Sequence, residues 1–230
     1  MTVKLVSISK PLIEGLDNAA DLIGYVARVS NPPNQKNVES MGKLLKYCLK
    51  HKHFSIFEMA DATFEIRTSR DIGRQILRHK SFSFQEFSGR YAKAMPDPII
   101  REARTQDPKN RQSSITCDPD SWLARDFKAN QHNIWEYCYG IYEDMLEAGV
   151  AKEQARAILP EGLNPSCMYM KGSIRSWIHY CMVRCGNETQ YEHQLIAKQI
   201  ARDLIKEFPI LEDVFTPLLE NDYSAEGFSE

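Results

Sequence analysis

Alternating apolar residues appear in only two short, widely separated stretches of this chain. Within residues 1–9, Val3, Leu5 and Ile8 alternate with Val6 as an exception, and Ala62-Thr-Phe-Glu-Ile-Arg67 alternates again. Period two marks a strand with one buried face. Elsewhere the apolar spacing is helical. Val38, Met41, Leu44, Leu45 and Cys48 recur every three or four residues. Asp17 or Asn18 is placed to cap a helix through Val29, which Asn31-Pro32-Pro33-Asn34 stops. Ser69, with Asp71 in the first turn, opens a helix to about His79. Asp118-Pro119 opens a long helix with the stripe Phe127, Ile134, Cys138, Ile141, Met145, ended by Gly149. Shorter helices are predicted at about 151–158, 171–185 and 188–207. The strands are not regularly interleaved with helices, which argues against a doubly wound sheet and for a helix-rich α+β fold. Residues 94–120 hold Pro96, Pro98, Pro108 and Pro119 and read as a long loop or insertion. The expected organisation is one domain over 1–215 with an acidic tail over 216–230.

Lys and Arg number 29 against 31 Asp and Glu, a net charge of −2, which is not the basic excess of a nucleic-acid protein. No apolar run reaches the ~20 residues that span a bilayer, and the first ten residues lack a signal-like apolar stretch. A cytoplasmic protein without nucleic-acid or membrane partners is expected. Neither G-x-G-x-x-G nor a P-loop occurs. The six cysteines form no C-x-x-C pair. Cys181 and Cys185, with His179 and His193 nearby, raise a zinc site, but their spacing suits helix packing better and no metal is expected.

Polar chemistry concentrates in three segments. In Gln75–Tyr91, three cationic or potentially cationic residues, Arg78, His79 and Lys80, follow one another at an expected helix end. Gln75 and Arg78, three apart, share a helix face. If residues 86–90 are extended, Glu86, Ser88 and Arg90 share a side, and guanidinium and hydroxyl suit phosphate oxygens. A solvated helix end followed by a polar edge strand fits the same residues. Arg156, near the end of a short helix, reads either as a ligand contact or as a partner of the helix dipole. Arg175 and Arg184 are nine residues apart, ~180° around an unbroken helix, so one copy cannot aim both at one ligand. A symmetric oligomer with interfacial sites would use both faces. His53 sits in the turn His51-Lys52-His53, as a structural residue or one that titrates in catalysis.

These residues, in this order, resemble the flavin-dependent thymidylate synthases (the ThyX family). The family pattern Arg-His-Arg, seven residues, Ser stands here as Arg78-His79-Lys80 and Ser88, continuing Gly89-Arg90-Tyr91. His53-Phe-Ser55-Ile-Phe57-Glu58, Ala155-Arg156 to Leu159-Pro160, Arg175-Ser-Trp-Ile-His179 to Arg184, and Gln190-Tyr-Glu192 resemble further family segments. The likeness covers most of 25–210 and leaves 94–120 unexplained. Lys80 departs from the pattern by keeping the charge and losing the planar fork, and the position of Ser173 is often Asn in the family.

The resemblance implies a homotetramer with a small, mostly antiparallel sheet and sites at its subunit interfaces. It implies conversion of dUMP to dTMP with FAD, methylenetetrahydrofolate as carbon donor and NADPH as reductant. Gln75, Arg78, Glu86, Ser88, Gly89, Arg90, Arg156 and Arg184 would hold dUMP. Ser55, Arg78, His79, Lys80, Glu86, Ser173, Arg175 and His179 would contact FAD. Arg184 and His53 would be catalytic. Two other classes remain open: a nucleotide- or flavin-binding module of the same fold without turnover, and a structural oligomer whose arginines form interface ion pairs.

Overall fold

In the computed structural model, residues 1–220 are described. The alternating stretches form the strands expected of them. β1 (Thr2–Ile8) pairs antiparallel with β2 (Asp61–Ser69), which buries Ala62, Phe64 and Ile66. Asn18 caps α1 (Ala19–Ala27), its side chain accepting from the Asp21 N–H while the Asp21 carboxylate accepts from the Asn18 N–H. α2 (Met41–Lys50) and a 3₁₀ turn (Phe54–Met59) complete this half of the core. α3 (Arg70–Ile76) follows β2, and a short strand β3 (Ser83–Glu86) follows α3.

Residues 165–173, read in part as helix, are instead β6 (Pro165–Ser173), which pairs with both β2 and β3. The four-stranded sheet runs β1-β2-β6-β3, and every pairing is antiparallel. Met168, Met170 and Gly172 of β6 are buried on alternate positions. Gly172 is required there, because a Cβ would lie 2.4 Å from the Phe82 ring. α6 (Ile174–Arg184), capped by Ser173, and α7 (Tyr191–Glu207) lie in the main core. Trp177 meets Phe64 edge-on at 4.8 Å, and Ile196, Ala197, Ile200, Ala201 and Leu204 line the buried stripe of α7. This α+β arrangement with a small antiparallel sheet agrees with the sequence reading.

Within 94–120 lies a two-stranded hairpin, β4 (Arg104–Gln106) with β5 (Ser114–Thr116). α4 (Trp122–Glu147) begins later than expected and is capped by Ser121, whose Oγ accepts from the Ala124 N–H. Its buried residues are Gln131, Trp135 and Tyr142, not the predicted stripe. The cause is polar. Gln131 bonds both backbone groups of Arg101, Trp135 donates to the Pro96 carbonyl, and the Tyr142 hydroxyl accepts from the Ala94 N–H. These bonds turn the face toward the 94–101 segment and leave Phe127 41% and Ile134 52% exposed. α5 (Lys152–Ala155) leads into a 3₁₀ turn at Arg156–Ile158. α8 (Glu212–Glu220) reaches into the expected 216–230 tail, and the rest of that tail lies outside the described residues.

Candidate active site

α3 stops at Ile76, and the backbone then turns through Arg78 and His79, each amide donating to a carbonyl three residues back. The cations therefore follow the helix rather than lining its last turn. Arg78 and Lys80 are exposed. His79 points inward, with its ring 4.9 Å edge-on to the buried Tyr180. Its Nε2 accepts from Arg184 Nε at 2.9 Å. Only a neutral imidazole with its proton on Nδ1 can accept there. Burial and then the Arg184 charge lower the His79 pKa to about 4.

Beside this pair lies a group that includes Gln75. Its Nε2 donates to Gln190 Oε1 at 2.6 Å, and Gln190 Nε2 donates to Glu192 Oε2 at 2.9 Å. His193 contacts Gln75 through Nδ1 at 3.3 Å and Tyr180 through Nε2 at 3.0 Å. Its pKa is lowered to about 3 by burial, with Arg184 and His79 adding repulsion. In the sequence His193 stands out only as a candidate metal ligand beside Cys181 and Cys185. The signal was present, because His193 continues the 196, 197, 200, 201, 204 stripe and must be buried.

A second group surrounds a cavity of about 390 Å³ lined by Arg70, Arg74, Gly89, Arg156 and Asn164 among others. β3 ends at Glu86, and the chain turns at Ser88, whose carbonyl accepts from the Tyr91 and Ala92 amides. The expected shared face of Glu86, Ser88 and Arg90 therefore does not form. Glu86 accepts from the Ser166 hydroxyl at 2.7 Å, whereas Arg90 pairs with Glu153 at 3.1 Å. Ser88 and Arg90 line an adjoining open groove. Arg70 and Arg74 carried no motif, and only the fold places them beside Arg156.

A third group sits at the start of α6. Arg175 NH1 pairs with Glu58 at 2.6 Å. Hydrogen bonds from Ser173 and then Arg175 hold the Glu58 carboxyl below its usual range. Ser173, Ser176, Ser81 and Lys171 line a hollow with Glu58. The His179 ring lies 4.9 Å edge-on to Phe54. Ser55 and His53 are exposed, and His53 lies near the rings of Tyr47 and His51. α6 is unbroken, so Arg175 and Arg184 serve opposite ends and sides within one chain.

The family description "Thymidylate synthase complementing protein" matches residues 11–210. A protein of Paramecium bursaria Chlorella virus 1 named probable flavin-dependent thymidylate synthase is 49% identical over 212 residues, 91% of this chain and 96% of its own. A flavin-dependent thymidylate synthase of Synechocystis is also 49% identical, with the same coverage of both chains. Among solved structures, the UMP/dUMP methylase PolB from Streptomyces cacaoi, bound with 5-Br dUMP, shares the fold. Its TM-score is 0.79 at 24% identity, with 94% of each chain covered.

Proposed function

Because the chain belongs to the thymidylate synthase complementing protein family, we propose that it is a flavin-dependent thymidylate synthase. It converts dUMP to dTMP with FAD as cofactor, 5,10-methylenetetrahydrofolate as methylene donor and NADPH as reductant. The observation that carries this reading is the 49% identity, over almost the whole chain, to two proteins of that name.

The residues present fit a flavin dinucleotide. Arg78 and Lys80 are exposed cations without a protein partner among the described residues, and the Ser173 end of α6 adds hydroxyls and Arg175. Ser55, Arg78, His79, Lys80, Glu86, Ser173, Arg175 and His179 would hold it. When bound, FAD supplies the redox chemistry that side chains cannot. The cavity lined by Gly89, Arg70, Arg74 and Arg156 offers guanidinium donors to a nucleotide phosphate, although Glu153 and Glu161 also line it and Arg74 is paired with Glu161. Gln75, Arg78, Glu86, Ser88, Gly89, Arg90, Arg156 and Arg184 would hold dUMP, and His53 would lie near the flavin.

Carbon 5 of uracil is a poor nucleophile and needs activation. A thiolate is poorly available here. Burial raises the Cys48, Cys167 and Cys181 thiols. A hydrogen bond with Cys181 lowers that of Cys185, but Cys185 is 0% exposed. Arg184 instead presents a fixed positive charge, oriented by neutral His79, to negative charge developing on the ring.

The protein acts as a homotetramer in the cytoplasm. Support comes from the exposed Phe127, Ile134 and Tyr137 of α4, an apolar face a partner would cover, and from the opposed placement of Arg175 and Arg184. No helix among the described residues is long and apolar enough to cross a membrane.

The test supplies FAD, NADPH, methylenetetrahydrofolate and dUMP tritiated at carbon 5. Tritium release with dTMP formation is expected. Flavin binding without release would favour the binding module instead. A protein that neither takes up FAD nor gains melting temperature with dUMP would favour the structural oligomer.

A further inference from the structure

His193 is 0% exposed, on a helix whose buried residues include Ile196, Ala197, Ile200, Ala201 and Leu204. Its two ring nitrogens meet Tyr180 and Gln75. The roles in this chain of bonds follow from its far end. An ionised Glu192 carboxylate only accepts, so the Gln190 amide must turn its N–H₂ toward it. The Gln190 oxygen then faces Gln75 and accepts from the Gln75 N–H₂. The Gln75 oxygen is left facing His193, and this contact is a hydrogen bond only if His193 Nδ1 carries the proton. Nε2 then accepts from the Tyr180 hydroxyl. One direction of donation runs Tyr180 to His193 to Gln75 to Gln190 to Glu192. Reversing the Gln190 amide breaks two of its bonds, and reversing the Gln75 amide breaks at least the one to Gln190.

We propose that His193 is a positioning residue for the nucleotide: its Nδ1–H holds the Gln75 oxygen while Gln190 holds the Gln75 N–H₂, and the two together lock which way the Gln75 amide faces. This rests on the reading that Gln75 touches dUMP. Within the chain of bonds, Gln75 retains one N–H and one lone pair for a ligand. A uracil edge presents carbonyl acceptors on either side of one N–H donor, so the amide orientation decides whether the two match. Low solvent access and the neighbouring Arg184 keep the imidazole neutral, as the donation pattern requires.

Two amide substitutions separate this role from simple packing. His193→Asn places its amide near the Nδ1 position, so it can still donate to Gln75 but loses Tyr180. His193→Gln reaches toward the Nε2 position, so it can keep Tyr180 but loses Gln75. Each exchanges an imidazole for an amide and loses one of the two hydrogen bonds of the ring. The measurement is equilibrium binding of dUMP to the FAD-loaded protein, together with kcat. His193→Gln is expected to weaken dUMP binding about ten-fold, the equivalent of one hydrogen bond. His193→Asn should stay within about two-fold of wild type, with kcat and flavin absorbance of both close to wild type. Equal dUMP affinity in the two variants overturns the inference, as does an affinity loss matched in both by a fall in melting temperature. Gln75→Ala should weaken dUMP binding at least as much as His193→Gln. If it does not, Gln75 is no nucleotide contact and the inference falls while the enzyme reading stands. If wild type binds dUMP but does not turn it over, the enzyme reading fails, and the order of affinities still decides the role of His193.

Discussion

Arg184 and His79, 105 residues apart in sequence, meet side chain to side chain, with Arg184 Nε donating to His79 Nε2 at 2.9 Å. The bond uses one guanidinium N–H and sets the plane of the group. The remaining N–H groups stay available for a ligand, and the positive charge has no carboxylate to neutralise it at this contact. An arginine held by a neutral acceptor keeps its full field, which suits a role in stabilising developing negative charge.

Removing that charge should remove the reaction. Arg184→Ala is expected to lower dTMP formation by at least ~100-fold, as for loss of a preorganised electrostatic donor. Cys185→Ala should keep turnover within a few-fold, because the thiol is buried against Cys181. Tritium release from carbon 5 of dUMP reads both. An active Arg184→Ala protein would rule out the electrostatic role.

The two buried histidines make stability depend on pH. In the unfolded chain, imidazoles take up protons below pH ~6.5. Folded His79 stays neutral to about 4 and His193 to about 3. Protons therefore favour the unfolded state within that window. The stability present above pH ~6.5 is lost as pH falls toward 4 and then 3. For His193 the slope approaches ~1.4 kcal/mol per pH unit. Urea midpoints between pH 7 and 5, above most carboxylate titration, should fall in wild type and fall less in His193→Gln. A wild-type midpoint that stays level would mean these rings are not buried as neutral groups.

How much of this could be read from residues alone varied with the interaction responsible. The alternation of Ala62, Phe64 and Ile66 marked β2, because one face of that strand packs on the core. β6 escaped notice, because Met168, Tyr169, Met170 and Lys171 carry no β-branched signal and only pairing on both sides makes them a strand. The stripe on α4 was misjudged because hydrogen bonds from Gln131, Trp135 and Tyr142, not apolar periodicity, choose its buried face. At the site, motif residues were visible as a list. Their division into three groups, and the parts of Arg70, Arg74 and His193, needed contacts between segments far apart in the chain.

Lys80 stands where the family pattern has arginine, and it is exposed without a protein partner among the described residues. Lys80→Arg should therefore meet no steric conflict and should add a planar fork for phosphate or flavin oxygens. FAD binding is expected to tighten by a few-fold, since exposed charged contacts contribute less than ~1 kcal/mol. Quenching of flavin fluorescence on titration measures it. Weaker binding would mean that the surroundings of residue 80 are shaped to the ammonium.

The Phe82 ring lies between the sheet and the Arg184–His79 pair, and Gly172 makes room for it. A Cβ at 172 would lie 2.4 Å from Phe82 Cδ1 and 2.6 Å from Cε1. The ring has little freedom to retreat, since it packs 4.6 Å from Trp177 and 5.9 Å from Tyr180. Gly172→Ala is expected to destabilise the fold by ~1–3 kcal/mol, the usual cost of overpacking. Phe82 also faces His79 edge-on at 6.3 Å, so a displaced ring presses toward the acceptor of Arg184. Turnover in folded Gly172→Ala protein should therefore fall. Adding Phe82→Leu, which frees the space, should recover part of both losses, and the coupling should exceed ~0.5 kcal/mol in a double-mutant cycle on urea stability. Strict additivity of the two substitutions would show that residue 172 does not act through this ring.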